Sequence, residues 1–471
     1  MAIKNCFRAK RHELDMTQGG IIGNLLQFAL PLLVGNLFQQ LYNMVDTWVI
    51  GQTGNNGAYA AVGSVGPIIN ILIGFFSGLA SGAGVLISQY FGAKDREGVR
   101  RAVHTSMVLT LIMGLVFTAV GVIMAPYMLR MMLRTQHDGS EIFRSAQDYL
   151  TIYFSGVMGL LIYNMGAGIL RAVGDSRRPL YFLIVSAATN VLLDFLFVFG
   201  FEMGAAGVAL ATVLAQGLSA VLTSAVLLRS GSWVQIRLRE LRMDLSMLGK
   251  IVHVGIPAAV QMALTAFANV FVQSYIANAA GNQEIHLGSW TTYSKVDQFI
   301  FLPVQSLALA ATTFVGQNLG TGDVRRAKAG ARVAYFISTG CSIVIIVPVM
   351  IFAPSLAAIF NADPDVVAQA TALLRCITPF YLVCSVNQIF AAALRGAGNS
   401  RAPMLIMLAS FIGIRQIYLY IVSHFICNEL IPIGMSYPVG WISCGIVMLI
   451  YYLRFDFSSA RLIDKPKTAS I

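Results

Sequence analysis

Two stretches of this chain are versions of one another: SQYFGAKDREGVRRA, from Ser88 to Ala102, and GQNLGTGDVRRAKAG, from Gly316 to Gly330. Gln, Gly and Asp align at an offset of 228, placing Gln89 with Gln317, Gly92 with Gly320 and Asp95 with Asp323. A second pair, LRAVGDSRRP (Leu170 to Pro179) and LRGAGNSRAP (Leu394 to Pro403), aligns at an offset of 224, and Pro31 pairs with Pro257. The chain is therefore written twice. The Gly-rich loops have no Walker spacing and follow no strand pattern, which excludes a phosphate loop. They read as tight helix-to-helix turns, with Gly and Asp or Asn supplying backbone freedom and Pro179 or Pro403 starting the next helix.

What lies between these loops is apolar. The 471 residues are 57% hydrophobic and 11% charged, with mean hydropathy +0.72, against about 25% charged residues in a soluble domain. Twelve runs are long enough to cross a hydrocarbon core of ~30 Å: 24–50, 58–88, 102–126, 147–171, 179–200, 205–229, 250–280, 286–316, 329–353, 367–395, 403–427 and 434–454. They are helices, because an open sheet leaves backbone groups unpaired in lipid, and the alternation of a membrane barrel is absent. The expected fold is an all-α membrane protein with twelve transmembrane helices in two pseudo-symmetric six-helix lobes around a central cavity. The halves are 24–229 and 250–454, joined by a linker at 230–249 and flanked by tails 1–23 and 455–471. Six spans per half is even, so the halves share one orientation and are related by an axis along the membrane normal.

The net charge of +11 is a topology signal, not a nucleic-acid footprint. Of 32 Lys and Arg, 26 fall in the tails and in the loops on one side, while the opposite loops hold Arg130, Arg134 and Arg144. By the positive-inside rule both termini are cytoplasmic, in a bacterial inner membrane, with some attraction to anionic membrane lipids. The apolar run after KNCFRAKRHELD is too long for a signal-peptide core and is expected to stay as span one. Six scattered Cys without a CxxC, and six His without ligand spacing, give no metal centre. No nucleophile–base pair supports an enzyme.

A charge at the bilayer centre costs from about 2.5 to above 10 kcal/mol, so the charges inside spans are informative: Asp46, Asp194, Lys295, Asp297, Arg375 and Arg415. Asn190 and Asp194 are one helical turn apart and share a face. Counting 1.5 Å per residue puts Asp194 and Thr212 at a common depth of roughly 20 Å above the basic side. Asp46 lies higher in the same half, and Pro31 is placed to bend its helix. At the repeat offsets Asp46 meets Val272, Asn190 meets Ile414 and Asp194 meets Tyr418. The polar cluster belongs to the first half alone, which favours a specific role over packing. In the second half Asp297 and Arg415 fall at similar depth, so an Asp297–Arg415 pair is expected, with Lys295 nearby. It serves either as a buried ion pair or as a second cation-responsive site. Arg375 reads as snorkelling.

The paired (S/G)Q-x-x-G-x-x-D and LR-x-x-G-(D/N)-S-R-x-P loops, with the opening LPLL…LYNMVDTWVIG, resemble the multidrug and toxic compound extrusion (MATE) family over about residues 20–455. The resemblance implies two six-helix lobes in a V, and export of lipophilic cationic small molecules against inward H⁺ or Na⁺, with no cofactor. It is closest to the DinF-like, MepA-like branch, whose pattern maps onto Asp46, Asn190, Asp194 and Thr212 with Pro31 as the kink proline. Asn164 stands for the fourth-helix Asn, and Tyr149 or Tyr153 for its Tyr. The NorM-like branch places acids in helices seven and ten, where this chain has Gln261 and Asn387. The expected unit is a monomer without nucleic-acid partners. H⁺ is the expected coupling ion, with Na⁺ the alternative. A lipid-linked oligosaccharide flippase is the alternative function; it would need a cationic cavity, and a channel would need conductance.

Overall fold

The computed structural model describes residues 13–52, 56–132, 140–229, 231–458 and 460–463. Residues 1–12 with Cys6 and four basic side chains, Arg134, and residues 464–471 lie outside the described residues. Among the described residues the chain is all-helical. Eleven helices are long and apolar enough to cross a membrane, and one bent pair makes a twelfth span. In order, the first half has Ile21–Gln52, Ile68–Gly92, Arg96–Arg130, Ile142–Ser155 with Val157–Ala172, Arg177–Gly200 and Gly204–Arg229. The second half has Leu245–Ala277, Gln283–Thr321, Val324–Phe360, Pro364–Gly396, Arg401–Ile426 and Leu430–Arg454.

Span four, read from the sequence as one run over 147–171, is two helices, Glu141–Ser155 and Val157–Ala172. It bends by 48° at Gly156. A Cβ there would lie 2.1 Å from Val213 Cγ1 of span six. Glycine leaves room there for the branched Val213 side chain against the backbone of span four, and both pieces of span four pack on span six. Span one, by contrast, runs as an unbroken helix through Pro31.

The duplicated loops fold as duplicated turns. Asp95 Oδ1 accepts from Gly98 N at 2.9 Å, and its counterpart Asp323 Oδ1 from Arg326 N at 2.8 Å. Asp175 Oδ1 accepts from Arg178 N at 3.1 Å, and Asn399 Oδ1 from Ala402 N at 3.2 Å. Each side chain satisfies an amide that a helix start leaves without a partner. Gly174 and Gly398 carry φ of +87° and +89°, the left-handed region that glycine enters without steric cost.

The halves meet through spans two and seven, spans eight and one, and spans two and eight. The first seam is built on Gly74, Gly78 and Gly82, spaced by four. Cβ atoms on Gly78 and Gly82 would lie 2.3 Å from Ala259 N and 2.5 Å from Gly255 Cα. Small residues at this spacing let membrane helices touch backbone to backbone. At the repeat offset span eight offers Ser306 and Ala310 to span one, and Asn36 Nδ2 donates to Ser306 Oγ at 3.3 Å.

Candidate functional site

Span five is an α-helix from Arg177 to Asp194 and widens into a π-helix over Phe195–Gly200. Asp194 is thus the last residue before a local widening, a feature that span eleven also has over Ala409–Ile414 and Val422–Ile426. Ser186 Oγ donates to Ala215 O at 2.7 Å and ties span five to span six. Span one packs along span five, and this contact brings Asp46 to Asp194. The two carboxyls lie within hydrogen-bonding reach of each other. Ionised carboxylates only accept hydrogen bonds, so the contact becomes a bond only when a proton or cation lies between them.

No donor in the described residues compensates. Both oxygens of Asp194, Oδ1 of Asp46 and both polar atoms of the Asn190 side chain are buried without a hydrogen-bond partner among the described residues. Asp194 and Asn190 are 0% and 2% exposed. Burying polar groups unpaired is costly, and most such groups in folded proteins are satisfied. The carboxyl oxygens and Asn190 Oδ1 thus lack a donor or a cation, and Asn190 Nδ2 lacks an acceptor.

Tyr149 and Tyr153 of span four stack with ring centroids 6.4 Å apart. Tyr149 lies within electrostatic range of both Asp46 and Asp194. The Tyr153 hydroxyl is buried beside Gln216 without closing a hydrogen bond. Thr212 is buried in span six and donates to Val208 O at 2.9 Å, one turn back, leaving its oxygen free to accept. Asn164 is not brought to the carboxyl pair by any hydrogen bond. Its amide donates to Leu160 O at 2.9 Å, and the residue lines a small cavity with Phe76, Thr110 and Met113. Tyr42 is the residue that sequence reasoning missed. It lies one turn before Asp46, within electrostatic range of Asp46 and Tyr153, and the i,i+4 spacing was the available signal.

The second half corrects one expectation: Asp297 and Arg415 form no ion pair with each other. Tyr293 and Tyr381 both donate to Asp297 Oδ1, the former at 2.8 Å. Arg415 Nη2 donates to Asn269 Oδ1 at 3.2 Å, and its guanidinium lies 4.9 Å from the Tyr437 ring. Counting residues gives height but not direction around the helix, and the phenols reach the carboxylate first. Gln261 Nε2 contacts Met407 Sδ at 2.8 Å, and Asn387 Nδ2 donates to Trp441 O at 3.0 Å.

The family model described as MatE matches residues 31–196 and 257–421, well over half of the chain. The matches start at Pro31 and Pro257, the prolines paired by the repeat. The chain is similar to two probable multidrug resistance proteins of Bacillus subtilis (strain 168). YoeA is 27% identical, with 91% of this chain and 92% of the relative covered. YpnP is 27% identical, covering 94% and 97%. A solved MOP superfamily transporter from Pyrococcus furiosus superposes with a TM-score of 0.89 at 22% identity, covering 96% of this chain and 99% of that one.

Proposed function

The chain belongs to the MatE family of membrane transporters, and from that premise we propose that it exports lipophilic organic cations by H⁺-coupled antiport. The coupling site is the Asp46–Asp194 pair with Asn190, Thr212, Tyr149 and Tyr153. The observation behind this reading is the facing carboxyl pair, buried and without a donor. Such a pair is relieved by one positive charge at a time. A proton entering from outside takes the place of a cationic cargo, and the lobes then rock to return the neutralised site. One charge moving down 100 mV supplies about 2.3 kcal/mol before any pH gradient. Both termini are cytoplasmic on this reading, and Pro31 is a hinge that acts without breaking its helix.

The test is ethidium efflux with simultaneous proton influx in vesicles carrying Asp194→Asn. Loss of coupled efflux is expected; unchanged coupling removes Asp194 from the mechanism. Na⁺ is the second reading, favoured by the partnerless Asn190 Oδ1, since hard cations take oxygen ligands of this kind. Efflux at fixed pH with and without Na⁺ separates the two. A pyrophosphate-linked lipid fits poorly, because its headgroup would meet two carboxyls.

A further inference from the structure

The transport reading gives no role to Gln89 and Gln317, which the repeated loops present twice. Both are 0% exposed, and each bridges the halves. Gln89 Nε2 donates to Gly396 O of the second half at 3.0 Å, and Gln317 Nε2 donates to Ala172 O of the first half at 3.0 Å. Their oxygens hold the chain ends. Gln317 Oε1 accepts from Met16 N at 3.0 Å, and Gln89 Oε1 from Leu462 N at 3.0 Å. Repeated glycines form the other wall of each seat. A Cβ on Gly174 would lie 2.2 Å from Leu14 O, and one on Gly398 would lie 2.7 Å from Leu462 Cγ.

There are thus two equivalent notches, each with one wall from either half and each filled by a chain end. The two ends share no repeat, so the symmetry belongs to the notches, which read backbone. The N-terminal segment is held more firmly. Arg326 Nη2 also donates to the carbonyls of Met16, Gln18 and Gly19 at 3.2, 3.1 and 2.8 Å, and Asn318 Nδ2 donates to Met16 O at 3.3 Å. We propose that the chain ends are latches that hold the basic ends of the two halves together, and that both notches must empty before that side opens. This rests on the rocking of the halves proposed above.

The test uses spin labels at Glu97→Cys and Arg325→Cys, both exposed and equivalent in the repeat, in full-length protein with its six native Cys replaced. Distances are measured in liposomes at acid and neutral pH. Gln317→Leu and Gln89→Leu remove the bridges, and each raises the ratio of wide to narrow distances about tenfold. Met16→Pro and Leu462→Pro remove the donating N–H, and Met16→Ala and Leu462→Ala, which keep the N–H but lose a side chain packed against the core, control for that packing. The proline variants shift the ratio the same way and further than their alanine controls, Met16→Pro the more. Two populations whose weights stay unchanged in all four Leu and Pro variants overturn the latch alone. A single distance in every variant at both pH values overturns the rocking reading and the latch with it.

Discussion

Replacing Gly78 by alanine tests the seam between the halves most directly. The three atoms nearest its added Cβ are Ala259 N, Ala259 Cα and Ala258 C, at 2.3, 2.4 and 2.5 Å. All are backbone, so no side chain can swing away. Ordinary contact begins at 3.4 Å, and spans two and seven must therefore part by about 1 Å along a seam that continues through Gly82. An extra methyl forced into a packed interface costs about 1–3 kcal/mol. Gly217 is the matched control, because a Cβ there meets nothing within 4 Å. At Gly217 alanine gains up to about 1 kcal/mol of helix propensity. Thermal unfolding of the purified protein in detergent is expected to show opposite signs, a lower midpoint for Gly78→Ala and an equal or higher one for Gly217→Ala. A Gly78→Ala protein as stable as the parent refutes backbone contact between the spans.

Asp46→Asn places an amide donor where Asp194 lacks one, so the midpoint is expected to hold or rise while proton-driven efflux falls at least tenfold; lower stability would contradict the missing-donor argument. Tyr381→Phe removes one of two donors to Asp297 and should cost about 1.5–3 kcal/mol in the same unfolding assay. Asp244 caps span seven, accepting from Ser246 N and Met247 N at 2.9 and 3.2 Å. The Arg101 guanidinium, with these amides, holds its carboxyl below the usual carboxylate range. Its contribution is complete above the unfolded value of about 3.9 and fades as pH falls through the lower folded value. Asp244→Ala should therefore be the less stable at pH 7 by about 1 kcal/mol, with the gap closing below about pH 4; a constant gap would exclude the charge.

The repeated turns were legible because their chemistry is local. A helix start needs an acceptor, and Asp95, Asp323, Asp175 and Asn399 advertise one in sequence. Apolar length fixed the spans for the same reason. The bend at Gly156 was hidden, since it depends on Val213 of another helix. The Gly74-Gly78-Gly82 seam was not read from the sequence, since what it serves is set by its partner, span seven. At the candidate site, helical spacing joined Asn190 to Asp194, and the internal comparison singled out Asp46. What brought Asp46 to Asp194 was the packing of spans one and five, and what kept Asp297 from Arg415 was the reach of two phenols.

The repeat also separates what the fold needs twice from what the chemistry needs once. Capping acids, left-handed glycines and bridging glutamines recur in both halves. The acids inside the spans do not: Asp194 matches Tyr418, and Asp297 matches Ile69. These two carboxyls differ in one respect that burial alone does not reveal. Asp297 receives two phenolic hydrogen bonds, whereas Asp194 receives none from the described residues. A carboxyl supplied with donors by its own fold gains little from a mobile cation. On the proposed reading, the one denied them is compensated by something that arrives and leaves, and a coupling site is a place where compensation is temporary.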